Sequence, residues 1–335
     1  MAISRRLPMI FGATFLSALL MLTAAGVAIA QPAAQTALQA KAPNPFINIL
    51  TGGSGGVYYP IGGALSNIFA AKIPGIRSSV QATKGSVESL NQLQQGKGEI
   101  AFTIGDSLAF AWAGDADAGF KGKLDKLRGI AAIYPAYVQI VATRESGIKT
   151  LTDLKGKRLS VGAQRSGTEL TTRALFRAAG MSYKDLARIE YLPFAESIDL
   201  MIYRKLDATL QTAGLGVPAL RDLANTNAIT VVAVPAGIVD KVGAPYQKAV
   251  IPKGAYKGQD TDVQSATILN YIVTRVDVPA DLVYNMTKVI FDSTAELTKA
   301  HSAAAGISLQ RALDGMPVPL HPGAEKFFKE KGLIQ

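Results

Sequence analysis

The chain contains no cysteine, two histidines and one tryptophan in 335 residues. Without thiols there is no disulfide framework, no thiolate metal site and no cysteine to carry a lipid, so stability has to come from core packing. The only imidazoles are His301 and His321, and the ligand spacings of zinc and calcium sites are absent. Asp260 and Asp262, in Gly258-Gln259-Asp260-Thr261-Asp262, read as a solvated turn. No cofactor and no metal are expected. Lys and Arg number 35 against 25 Asp and Glu, a formal charge of +10. There is no basic run of five or six residues and no basic motif interleaved with aromatics, which argues against nucleic acid as a partner. Beyond the first thirty residues no stretch is apolar enough to span a bilayer, which argues against a channel or permease. The cation excess leaves a small anionic ligand, or simply a soluble basic surface.

What is present begins with an address. Residues 1–30 hold Arg5 and Arg6, no acid, and an apolar run from Met9 to Ile29 that ends in Ala28-Ile29-Ala30. That order is a secretory signal, with cleavage expected after Ala30 and export to the periplasm; an uncleaved anchor helix is the alternative. Residues 31–45 are rich in Ala, Gln, Pro and Asn without periodicity and read as a flexible mature terminus. The fold is expected to begin near Phe46. With 48% hydrophobic residues the remainder is long enough for two packed domains and is not a disordered chain.

The chain is organised around Ile47 to Pro60, an apolar strand, the turn Thr51-Gly52-Gly53-Ser54-Gly55-Gly56, and a helix opening at Val57-Tyr58-Tyr59. Four glycines in five positions bring backbone N–H groups close to a ligand, next to the positive end of a helix, where anions bind. A second strand and turn ends in Lys84-Gly85-Ser86, with Ser86 a candidate cap. A third strand, Ile100 to Ile104, ends in Gly105-Asp106-Ser107. Three such units describe a doubly wound parallel sheet, which holds ligands at the carboxyl ends of its strands. Leu127 to Thr143 reads as two strands divided at Pro135, one leaving a first lobe and one entering a second. The pattern then restarts at Arg158 to Val161, with Ser166 and Glu169 forming a capping box before a helix ending at Gly180. The expected domains are 46–135 with about 245–335 as lobe 1 and 136–244 as lobe 2, so that the chain crosses a hinge near Pro135 and again between Pro235 and Pro245.

Gly52-Gly53-Ser54-Gly55-Gly56 also spells G-x-S-x-G between a strand and a helix, the pattern of a serine hydrolase elbow. Such an enzyme needs His301 or His321 as base, and both read as helix-end residues; His301 is expected to be exposed. The turn lacks the Lys-Ser or Lys-Thr of a P-loop and does not fit G-x-G-x-x-G. Tyr58 and Tyr59 either divide between a ligand contact and core packing or both serve as half-buried packing residues. Asp106 either accepts from a ligand ammonium or caps a helix, and Lys84 either meets an anion or faces solvent.

Taken together, Thr51 to Pro60 with Gly62-Gly63-Ala64-Leu65, Gly85-Ser86-Val87-Glu88-Ser89-Leu90, Ser166-Gly167-Thr168-Glu169 and Pro319-Leu320-His321-Pro322-Gly323-Ala324 resemble the TAXI family. These are the extracytoplasmic solute receptors of tripartite ATP-independent (TRAP) transporters. The resemblance implies a two-lobed type II periplasmic binding protein of α/β class, each lobe a doubly wound, mostly parallel sheet with flanking helices. It implies a monomer that captures glutamate, glutamine or a dicarboxylate such as 2-oxoglutarate and passes it to a sodium-coupled membrane permease, with no chemistry. Presentation of the ligand to a sensor kinase is the alternative. By position, the implied ligand shell is Thr51, Gly52, Gly53, Ser54, Val57, Tyr58, Tyr59, Lys84, Gly85, Ser86, Asp106, Ser166, Gly167, Thr168, Ala213 and Gly214. Arg165 stands where the family usually has a small residue, and is expected to meet a second carboxylate.

Overall fold

The computed structural model describes residues 46–335; the expected signal segment 1–30 and the terminus 31–45 lie outside the described residues. Three strand-to-helix units open the fold: β1 (Phe46–Leu50) and α1 (Tyr58–Lys72), β2 (Arg77–Gln81) and α2 (Ser86–Gln94), β3 (Ile100–Ile104) and α3 (Gly105–Ala113). β1 lies parallel between β2 and β3. Ile61, Leu65, Ile68 and Phe69 turn one face of α1 into the core, as their helical spacing requires, and Val87, Leu90 and Leu93 do the same for α2.

The same order recurs in β5 (Arg158–Ser160) and α4 (Gly167–Ala178), β6 (Arg188–Glu190) and α5 (Phe194–Ile202), β7 (Ala208–Ala213) and α6 (Pro218–Thr226). Here β5 lies parallel between β6 and β7. The α/β class, with parallel strands flanked by helices in two regions, is that of type II periplasmic binding proteins. Joining the regions are two long antiparallel strands, β4 (Leu127–Thr143) and β10 (Val263–Arg275). One end of this pair carries β3, and the other carries β7, β8 (Ile229–Val232) and β9 (Gln247–Ile251). Between β8 and β9 runs α7 (Ala236–Val242), and the chain finishes with α8 (Ala280–Asp292), α9 (Thr294–Ala300) and α10 (Pro322–Glu330).

The segment expected as two strands divided at Pro135 is one strand of 17 residues. Proline lacks the N–H that a central ladder needs, so it survives only where the ladder is already interrupted. It stands at such a place: Leu269 faces Pro135 while Tyr271 faces Ala132, a register shift. Asn270, between them, donates its side-chain amide to the Tyr134 carbonyl at 2.8 Å.

Candidate functional site

The carboxyl ends of β1, β2, β3, β5, β6 and β7 converge on a cavity of about 60 Å³. One wall is the glycine turn from Gly52 to Tyr58, with Thr83, Lys84, Gly85 and Ser86 beside it and Ile104 behind. The facing wall is Ala163, Ser166, Gly167, Thr168, Pro193, Phe194, Thr212 and Ala213. The walls touch around its edge. Ala219 N–H donates to the Gly55 carbonyl at 3.2 Å and Glu88 N–H to the Arg165 carbonyl at 3.1 Å. Arg173 Nη1 donates to the Asp117 carbonyl at 2.9 Å. Two glycines make the approach feasible. Gly85 sits at φ +121°, and a Cβ on Gly167 would lie 2.5 Å from Ile104 Cδ1 and 2.9 Å from Ser86 Oγ.

The cavity is a collection of donors. The first amides of a helix have no acceptor within it, and α1, α2 and α4 each turn that end to the cavity through Val57 and Tyr58, Gly85 and Ser86, and Gly167 and Thr168. The hydroxyls are oriented the same way. Ser86 Oγ accepts the Ile104 amide at 3.2 Å, Ser166 Oγ the Glu169 amide at 3.2 Å, and Thr168 Oγ1 the Thr212 amide at 3.3 Å. Each therefore has its proton left to give. Thr212 Oγ1 is buried with no partner at all. Among the described residues Lys84 is the one basic residue on the lining, and it is exposed; no Asp or Glu lines the cavity. Such an arrangement stabilises an anion by backbone N–H groups, hydroxyls and helix ends together.

The expected site residues separate into two groups. Gly52, Gly53, Val57, Tyr58, Lys84, Gly85, Ser86, Ser166, Gly167, Thr168 and Ala213 meet at the cavity. Tyr58 turns inward, stacks on Phe102 at 5.1 Å and donates to Asn270 Oδ1, while Tyr59 turns out and is 38% exposed. Thr51 lies behind the turn, its hydroxyl bonded to the Gly52 and Gln81 carbonyls at 3.0 and 3.2 Å. Gly214 packs on the Tyr134 ring. Asp106 is buried but off the lining: its carboxylate accepts from Tyr246 Oη at 2.6 Å, and burial pushes its pKa up from the ordinary value. Arg165 adopts φ +66° and lines a separate open groove of about 420 Å³ with Glu169, Arg173, Tyr183 and Tyr191. That groove shares Ser166 with the cavity, and Arg165 itself is not on the cavity lining.

Three local readings are corrected by the geometry. Ser86 is the first residue of α2, and Gly85 holds the cap position. The capping box at α4 is half formed: Ser166 accepts the Glu169 amide, but the Glu169 carboxylate pairs with Arg173 at 2.9 Å instead of returning to Ser166. His301 is 7% exposed, not a surface residue. Its Nδ1 accepts from Ala303 N–H and its Nε2 lies 3.1 Å from the Gly216 carbonyl, while His321 Nδ1 accepts from Gly323 N–H. Each imidazole bonds a helix-end amide through Nδ1, and Ser54 is exposed at the tip of its turn with no hydrogen bond to either. Lining residues outside the expected set were Gly56, Thr83, Ile104, Ala163, Pro193, Phe194 and Thr212. Ile104 and Thr212 stand at or next to the last position of β3 and β7, and Ala163, Pro193 and Phe194 follow β5 and β6. The rule that parallel strands present ligands at their carboxyl ends would have found them, had the strand ends been known.

This arrangement of two parallel regions, two shared strands and a cleft cavity is that of the periplasmic binding proteins. The periplasmic binding protein BugD is 13% identical over 86% of this chain and 94% of its own, with a TM-score of 0.55. A structure described as a periplasmic transporter is 11% identical over 86% of this chain and 93% of its own, with a TM-score of 0.54. At these identities the likeness is one of fold. The sequence itself matches the model of the NMT1-like family over residues 49–332, and the chain belongs to that family.

Proposed function

We propose that this protein is a periplasmic solute-binding protein that captures a small carboxylate by closure of two lobes and delivers it to a membrane permease. The observation that carries the reading is a cavity between two sheet regions whose lining offers amides, hydroxyls and the exposed Lys84 but no acid. Charge-assisted hydrogen bonds contribute about 1.5–3 kcal/mol each, so three or four give micromolar binding after ordering costs. In this reading the hinge lies where the shared strands change register, at Tyr134-Pro135 on β4 and Leu269-Asn270 on β10, so the second crossing falls on β10 and not between Pro235 and Pro245. Tyr58 links the ligand wall to that point through Asn270. The TAXI resemblance adds a TRAP-type, sodium-coupled permease as partner, with a signal cleaved after Ala30 and glutamate, glutamine or 2-oxoglutarate among the candidate ligands.

Catalysis has no support in this geometry, because both histidines are buried with Nδ1 bonded to a helix-end amide, while Ser54 is exposed and has no hydrogen bond to either. A thermal-shift screen of small carboxylates and amino acids, followed by calorimetry of each hit, tests the reading. Binding that is saturable, of 1:1 stoichiometry and weakened by Thr168→Val supports it. A chain that binds no small carboxylate or amino acid refutes it.

A further inference from the structure

The acceptors of the cavity are as informative as its donors. The carbonyl of Gly52 accepts from Thr51 Oγ1, that of Gly53 from Gly56 N–H, and that of Gly85 from Ser89 N–H. The carbonyl of Ala163 accepts from Ser166 N–H, that of Pro193 from Ser197 N–H, and that of Ala213 from Gln139 Nε2 at 3.0 Å. The nearest acid, Asp106, lies outside the lining with its carboxylate on Tyr246 Oη and on the Ser107 amide and hydroxyl. Donors therefore face the cavity with nothing to give to, while these six carbonyls each already accept a hydrogen bond and no carboxylate lines the cavity to balance a cation.

Resting on the solute-binding reading, we propose that the cavity selects short carboxylic acids bearing an oxo or hydroxy group and rejects acids bearing an ammonium. A buried ammonium needs acceptors on its three protons, and an unmatched charge of that kind is expelled from a closed site. An oxo or hydroxy oxygen instead accepts from the donors present. Among these, Thr212 Oγ1 is the group the protein leaves unpaired: the residue is 7% exposed and lines the cavity. A volume of about 60 Å³ corresponds to roughly four to six water-sized positions, which suits an acid of three or four carbons.

Isothermal titration of the full chain with two matched pairs tests this: pyruvate against L-alanine, and 2-oxoglutarate against L-glutamate. Within each pair the skeleton is constant and an oxo group replaces an ammonium. The expected result is pyruvate binding at least about a hundredfold tighter than L-alanine, and no weaker than 2-oxoglutarate. Thr212→Val is expected to weaken pyruvate about tenfold, and an unchanged affinity removes Thr212 from the proposal. L-Alanine within tenfold of pyruvate, or L-glutamate tighter than 2-oxoglutarate, overturns the selection while leaving solute binding standing. Binding of none of the four, with calorimetry also silent toward other small carboxylates, overturns the parent reading and this one with it.

Discussion

Gly167→Ala probes the closure directly. Gly167 is the first residue of α4, and a Cβ there would lie 2.5 and 2.6 Å from Ile104 Cδ1 and Cγ1 and 2.9 Å from Ser86 Oγ. Ordinary contact distance is about 3.5–4.0 Å, so the walls must separate by roughly 1 Å or the Ile104 side chain must leave its rotamer. Overpacking of this kind costs about 1–3 kcal/mol. If the clash exists only when the two walls meet, that cost falls on the closed state alone and lowers ligand affinity by about five- to 150-fold, at 1.4 kcal/mol per decade. The unliganded protein then opens and escapes the clash. It is expected to be as stable as the parent, or more stable by up to about 1 kcal/mol from the reduced freedom of the unfolded chain. Calorimetry with the best ligand and urea denaturation without ligand measure the two terms separately. Unchanged affinity, or a loss of unliganded stability equal to the loss in binding free energy, refutes the idea that Ile104 and Gly167 meet through closure.

Four further outcomes follow from the same geometry. At position 165 the left-handed φ of +66° reverses the usual order of residues: Arg165→Gly should be more stable than Arg165→Ala by about 0.5–1 kcal/mol in urea denaturation. Asp207 accepts from the Arg158 backbone N–H at 2.8 Å and from its guanidinium at 3.0 and 2.6 Å, and the Arg158 hydrogen bonds hold its pKa below the usual carboxylate value. Its contribution is complete above the ordinary carboxylate pKa of about 4 and disappears as pH falls through the lower folded value. With Arg158 more than a third exposed, Asp207→Asn should cost only about 1–2 kcal/mol, and less in acid than at pH 7. Burial lowers the pKa of both His301 and His321. The unfolded chain therefore binds more protons below pH about 6.5, and melting temperature should fall as pH drops from 7 towards 5; His321→Asn should flatten part of that slope. A fluorophosphonate probe should leave Ser54 unlabelled by mass spectrometry, and stoichiometric labelling there would restore the hydrolase reading.

Much of the α/β order was legible locally. Glycine turns after short apolar strands, the i, i+3, i+4 pattern of Ile61, Leu65, Ile68 and Phe69, and the cap at Ser166 are properties of a few neighbouring residues, and short-range sterics and hydrogen bonding determine them. For the same reason most of the first cavity wall was legible. Less legible was the fate of residues whose partners are distant in the chain. Pro135 was read as a break because its missing N–H is a local fact, whereas Asn270, which bonds across the interruption, is 135 positions away. Asp106 looked available until Tyr246, 140 residues on, occupied its carboxylate.

By itself, then, the sequence determined where each turn lies, which helix faces are apolar, that no thiol stabilises the fold, and that the Thr51–Pro60 turn is suited to an anion. Tertiary structure alone decided which wall faces that turn. Thr212 and Phe194 reach the cavity because β7 ends and α5 begins there, beside the start of α4, and Arg165, itself left-handed, lies in a neighbouring groove. Donor and acceptor balance in a cavity is a sum over segments far apart in the chain. Pairing within the folded state, absent from any one segment, sets which of those groups remain free to hold a ligand.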